Sequence, residues 1–115
     1  MNRIEHYEFG EIVVDGNKYR RDLIIFPDKV IENWWRKEGH RLSIEDLQVI
    51  LEYKPEILII GTGYYGYMKV PREVEQFLIK NNISVHILET KKACNLFNEL
   101  LKQGKRVAAA LHLTC

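Results

Sequence analysis

Ile57-Leu58-Ile59-Ile60-Gly61-Thr62-Gly63 is the stretch that decides how this chain folds. Four consecutive apolar residues, three of them β-branched, predict a strand covered on both faces. The glycines let it end abruptly. Downstream, Pro71 suits the first position of a helix over 71–81, with Val74, Phe77 and Leu78 as its buried stripe. Asn81-Asn82 ends that helix, and Ser84–Leu88 reads as the next strand. Thr90 is placed to cap a further helix whose inner stripe is Cys94, Phe97, Leu100 and Leu101. Gly104 fits the left-handed position after it, and Val107–Leu111 is the last strand. Its three alanines predict close packing against a helix.

Upstream the pattern is richer in strands. Tyr7 and Phe9 alternate, as do Ile12 and Val14, and Asp15-Gly16 suits a type I′ hairpin turn between Glu11–Val14 and Lys18–Arg20. Leu23–Phe26 extends the second strand, Pro27-Asp28 turns the chain, and Val30–Arg36 reads as another strand. Trp34 and Trp35 would then point to opposite faces, one in the core and one covered by a helix or exposed. After Ser43, as an N-cap with Asp46 as capping-box partner, Ile44, Leu47, Ile50 and Leu51 mark an amphipathic helix that stops before Pro55. A β-rich third followed by β-α-β-α-β is an α/β domain. The handedness rule makes the 57–88 unit a right-handed crossover between parallel strands.

The 115 residues fit one domain, 1–115, long enough to bury a core without disulfides or metal. A net charge of +1 lacks the strong basic field of nucleic-acid binders, and the longest apolar runs fall far short of a membrane span. Met1–His6 has no signal-peptide core, so the cytoplasm is the expected compartment. Cys94 and Cys115 match no zinc or disulfide pattern. His112 and Cys115, three apart, could be drawn with His40 into a metal site, but two ligands on a C-terminal tail are weak grounds, and no metal is expected.

The glycine loop admits three readings. Gly61-Thr62-Gly63-Tyr64-Tyr65-Gly66 spells G-x-G-x-x-G after a strand, and Glu89 ends the next strand as a ribose ligand would. Against a dinucleotide, Tyr64 and Tyr65 are bulky where a diphosphate must approach backbone. The stretch before Pro71 also keeps a helix N-terminus away from it. The second reading is a tight strand exit. The third is a small anionic-ligand site at the carboxyl ends of the strands, drawing on Gly61, Thr62, Gly63, Lys69, Thr90, Cys94 and Asn98. Arg72, Lys91 and Lys92 lie close in sequence to that rim. Lys91 and Lys92 would favour a Cys94 thiolate, whereas the apolar stripe favours a buried thiol. Asn98 would find its partners either in the loop backbone or in a ligand. No acid–base–nucleophile set emerges, so no catalytic residue and no cofactor are assigned, and whether the chain is an enzyme stays open.

Several strings together resemble one small family: Pro27–Arg36 with Gly39-His40-Arg41-Leu42, then Ile59–Gly63, Thr90, Ala93-Cys94, Asn98 and Gly104–Leu111. It is the family of uncharacterised proteins that includes the adipogenesis-associated protein and a mitochondrial complex I assembly factor. The resemblance covers nearly the whole chain and is that of a bacterial or archaeal member. It implies a three-layer β+α/β/α arrangement around a mixed central sheet, with an N-terminal β-hairpin. It carries no catalytic residues and no nicotinamide or flavin cofactor. It implies a non-enzymatic assembly or interaction factor with a protein partner, exposing an apolar patch around Trp34 or Trp35. The competing reading is a small-ligand binder or cryptic enzyme at Gly61–Gly63. Oligomeric state is left open.

Overall fold

A computed structural model describes residues 2–115. Three strands, β1 (Ile4–Glu8), β2 (Glu11–Val14) and β3 (Asn17–Tyr19), form an antiparallel meander. The turn between β2 and β3 has Asp15 at φ 48° and Gly16 at φ 81°, the pair of positive angles that Asp-Gly favours. The expected hairpin is therefore two strands of a three-stranded unit. β1 precedes it, closed by a tight turn at Gly10.

β4 (Leu23–Ile25), β5 (Val30–Ile31), β6 (Ile57–Thr62), β7 (Ser84–Leu88) and β8 (Val107–His112) make the central sheet in the order β5-β4-β8-β6-β7. β6 runs parallel to β7 and β8, while β4 is antiparallel to β8 and β5. The sheet is mixed because β4 enters from the meander, which needs no crossover. One face packs on the meander and α3 (Thr90–Lys102), with Ile59, Ala109 and Leu111 against Ile12, Val14, Cys94 and Phe97. The other face packs on a 3-10 turn (Ile44–Leu47), α1 (Gln48–Tyr53) and α2 (Arg72–Lys80), with Leu58, Ile60, Ala108 and Ala110 against Leu47, Ile50, Val74 and Leu78. These are the three layers β+α/β/α. Ile57–Ile60 is apolar on both sides because both sides are covered.

Four local expectations need correction. Leu23–Phe26 does not extend the second hairpin strand, because β3 ends at Tyr19 and Leu23–Ile25 is β4 of the central sheet. The strand read over Val30–Arg36 stops at Ile31, because Asn33 turns the chain at φ 54°, a conformation Asn tolerates better than most residues. Trp34 is still the inward Trp, its Nε1–H donating to Asp46 O at 2.9 Å, and Trp35 is 77% exposed. Pro71 precedes α2 as its cap residue, with φ −60° and ψ 147°. Thr90 is the first residue inside α3, and Glu89 occupies the cap position. The Thr90 hydroxyl is committed elsewhere.

Candidate functional site

The carboxyl ends of β6 and β8 lie side by side, with Thr62 opposite His112. Thr90 ties them together. Its hydroxyl donates to His112 O at 2.6 Å and accepts the Gly63 N–H at 2.8 Å, while its own N–H donates to Gly63 O at 3.1 Å. Thr62 Oγ1 donates to Leu88 O at 3.1 Å. A methyl at Gly61 would stand 2.8 Å from both Thr90 Oγ1 and Leu111 Cδ2. One at Gly63, whose φ is 110°, would stand 2.7 Å from Thr114 O and 2.9 Å from Cys115 O. Glycine is required at both positions by close approach, and at Gly63 also by its backbone angle.

Of the seven residues singled out from the sequence, Gly61, Thr62, Gly63 and Thr90 come together. Cys94 lies beneath them on the inner stripe of α3, and burial pushes its thiol up to about 12, a neutral thiol at physiological pH. Asn98 does not reach the glycine loop. Its amide accepts the Ile4 N–H at 2.8 Å and donates to Ile4 O at 2.7 Å, so it fastens β1 to α3. Lys69 is exposed, and its backbone pairs with His40 O at 2.7 Å and with the Leu42 N–H at 2.9 Å.

Beside this junction sits a buried charged group that the sequence did not single out as a unit. Asp22, at the entrance to β4, accepts the His112 Nδ1–H at 2.7 Å on Oδ2 and the Leu113 N–H at 2.8 Å on Oδ1. Arg36 Nη1 is 2.8 Å from the same Oδ2 but off line for a hydrogen bond, so this contact is an ion pair. Arg36 Nη2 donates to Gly39 O at 2.8 Å, and the guanidinium lies 4.8 Å from the Trp34 ring centroid. Burial would raise the Asp22 carboxyl. The bonds from His112 and Leu113 and the charge of Arg36 outweigh it and hold the group below its ordinary value. With Nδ1–H given to Asp22, the 3.1 Å approach of Arg36 Nη2 to Nδ1 is electrostatic crowding, which the carboxylate balances. His112 Nε2 is buried without a hydrogen-bond partner among the described residues. His112 therefore belongs to β8 and to this cluster rather than to a loose tail.

The same cluster anchors the residues that follow β8. Leu113 O accepts the Gly10 N–H at 3.0 Å and the Tyr7 hydroxyl at 2.8 Å. Thr114 O accepts the Tyr64 N–H at 2.7 Å, and Cys115 O accepts the Tyr67 N–H at 3.1 Å. Burial, first of all, holds the Tyr7 phenol well above its usual value. The loop after Gly63 is thus fixed at its backbone while its side chains face out. Tyr64 packs on Tyr7 at 6.2 Å and on Phe9 at 5.9 Å, and Tyr65 packs on Tyr64 at 5.1 Å and on Tyr67 at 5.8 Å. Phe9, Tyr64, Tyr65 and Tyr67 are all exposed, Tyr65 by 57%. An exposed aromatic patch forms here, while of the adjacent tryptophans Trp34 is buried and Trp35 is exposed as the sequence allowed. The signal for the patch was Tyr64-Tyr65-Gly66-Tyr67, which had weight only as an obstacle to a diphosphate.

Among described residues, no helix is long and apolar enough to cross a membrane. The human NADH dehydrogenase [ubiquinone] 1 alpha subcomplex assembly factor 3 is 29% identical over 111 residues, which is 94% of this chain and 59% of that protein. The chain thus spans less than two thirds of that relative. A protein called 13 kDa major membrane protein, from Francisella tularensis subsp. holarctica, is 25% identical over 93% of this chain and 87% of its own length. A conserved hypothetical protein of Pyrococcus horikoshii OT3 superposes with a TM-score of 0.87 at 29% identity, covering 98% of this chain and 99% of that one. A family model described as protein of unknown function (DUF498/DUF598) matches residues 4–112, and with the shared three-layer fold it shows that this chain belongs to that family.

Proposed function

We propose that this chain is a non-enzymatic assembly or protein-interaction factor that meets its partner through the aromatic face at the carboxyl end of β6. The observation that carries the reading is the network of rings from Tyr7 and Phe9 through Tyr64 and Tyr65 to Tyr67, exposed on a backbone that is already tied down. Contiguous exposed aromatic surface of this kind marks interaction sites, and tyrosines supply contact area at low entropic cost. A loop held by Thr114 O and Cys115 O loses little further freedom on binding. The assembly-factor name of the human relative supports the same class of function. The seven-residue site for a small anionic ligand is the second reading. It would require Thr114 and Cys115 to leave Gly63, and no observation favours it over the first.

The test is differential capture from the native cell extract with the intact chain and a Phe9→Ala/Tyr65→Ala variant of equal melting temperature. A partner held by the intact chain and weakened at least about tenfold by the double substitution is expected, since truncating aromatic anchors costs about 2 kcal/mol or more. Equal capture by both proteins, or none by the intact chain, contradicts the reading.

A further inference from the structure

The two sheets present four edges, and three are guarded. β5 is only two residues long. β3 is three residues long and carries Lys18. β1 has a register irregularity between Ile4 and His6, and Asn98 occupies the N–H and C=O of Ile4. Short strands, lysines, bulges and covering side chains are the usual ways of stopping an edge from pairing. β7 has none of these. It is five residues long, Ser84-Val85-His86-Ile87-Leu88, with no Lys, Arg, Asp, Glu or Pro, and pairs with β6 in unbroken register. Its outer side has no strand partner among the described residues.

The register of β7 decides what it can accept. The Ser84 N–H donates to Glu56 O at 2.9 Å, toward β6. Backbone groups alternate along a strand, so His86 and Leu88 also face β6, and the N–H and C=O of Val85 and Ile87 point outward. An antiparallel copy of the same strand, turned about a two-fold axis through His86, brings Val85 opposite Ile87 of the second copy and Ile87 opposite its Val85. Both are hydrogen-bonded pairs, four bonds in all, and every outward group of the strand is used. The side-chain pairs are Val–Ile twice, on the α2 face of the sheet, Ser–Leu twice, and His86 against its own copy on the axis. Glu89 falls opposite Ile83, so the two carboxylates do not meet. No other two-fold register overlaps all five residues. We infer that β7 is a self-pairing edge, and that two copies of this chain join there, antiparallel about His86, into one continuous ten-stranded sheet. The outward backbone groups of this edge belong to Val85 and Ile87, and neither residue is part of the exposed rings of the aromatic loop, so either reading can fail alone.

The test combines sedimentation with cross-linking. The intact chain is expected to sediment as a dimer at sub-millimolar concentration. Val85→Pro deletes an outward N–H without touching the bonds to β6, and should raise the dissociation constant at least about tenfold while the far-UV circular dichroism spectrum of the folded chain is kept. In a Cys115→Ser background, His86→Cys places two thiols across the axis as a non-hydrogen-bonded pair, at a Cα separation of about 4.5 Å that a disulfide spans. Diamide should join them into a covalent dimer, whereas Ser84→Cys should not cross-link. A monomeric intact chain, a dimer indifferent to Val85→Pro, or cross-linking at position 84 in preference to 86 overturns the inference.

Discussion

Gly61–Gly63 and Tyr64–Tyr67 are consecutive in the chain and opposite in character. At the first segment a single added methyl would collide with Thr90, Leu111 or the backbone of Thr114 and Cys115. At the second, three of four residues are large aromatics with their rings in solvent. One hydrogen-bond scheme serves both, because the carbonyls that crowd Gly63 also accept the N–H groups of Tyr64 and Tyr67. The glycines allow the backbone to sink against Thr114 and Cys115, and sinking it fixes the tyrosines. A sequence that imitates a phosphate-binding loop is here a rigid mount for an aromatic surface.

The contrast can be broken hardest from below. Asp22→Ala leaves Arg36 uncompensated and frees the Leu113 N–H, and is expected to cost about 3–5 kcal/mol in denaturant unfolding. Gly63→Ala is next, at roughly 2–4 kcal/mol, from overlap with two carbonyl oxygens at a positive φ. Thr90→Val keeps the shape but leaves the Gly63 N–H without its acceptor, and should cost about 1–3 kcal/mol in the same assay. The smallest effect sharpens the contrast. Tyr65→Ala should change stability by no more than about 0.5 kcal/mol while weakening partner capture.

Acid provides an independent check on Asp22. Its folded-state value lies below the ordinary 3.8, so its contribution is present in full above 3.8 and is lost as the pH falls through the lowered folded value. The stability difference between the intact chain and Asp22→Asn should therefore hold constant from neutral pH down to about that point and shrink below it. A difference that vanishes near pH 6 would contradict the assignment.

The central strand, the Asp15-Gly16 turn, the Gly104 helix end and the order of the last five elements were legible in the sequence because each rests on local chemistry. Apolar runs, turn residues and a left-handed cap need no distant partner. Val30–Arg36 misled because alternation continues through Asn33, whereas the turn there brings the Trp34 N–H to Asp22 O and Arg36 to the Asp22 carboxylate, a partner twelve or more positions away. Asp22, Arg36 and His112 lie on three separate segments, so nothing local links them. Asn98 was recognised as a buried amide needing partners, but its partner Ile4 is ninety-four positions away. The aromatic face was hidden for a similar reason. Phe9 meets Tyr64 and Tyr65 only because β1, β2 and β6 converge at one end of the molecule.

The central claim is that this loop displays side chains to a protein partner. Site-specific photo-cross-linking in the native cell tests it most directly, with a benzophenone-bearing phenylalanine placed at position 65 and, as a control, at Ile79, which is equally exposed on α2. The account predicts a discrete adduct of one partner from position 65 and none from position 79. An adduct from position 79 alone, or the same adducts from both, would contradict it.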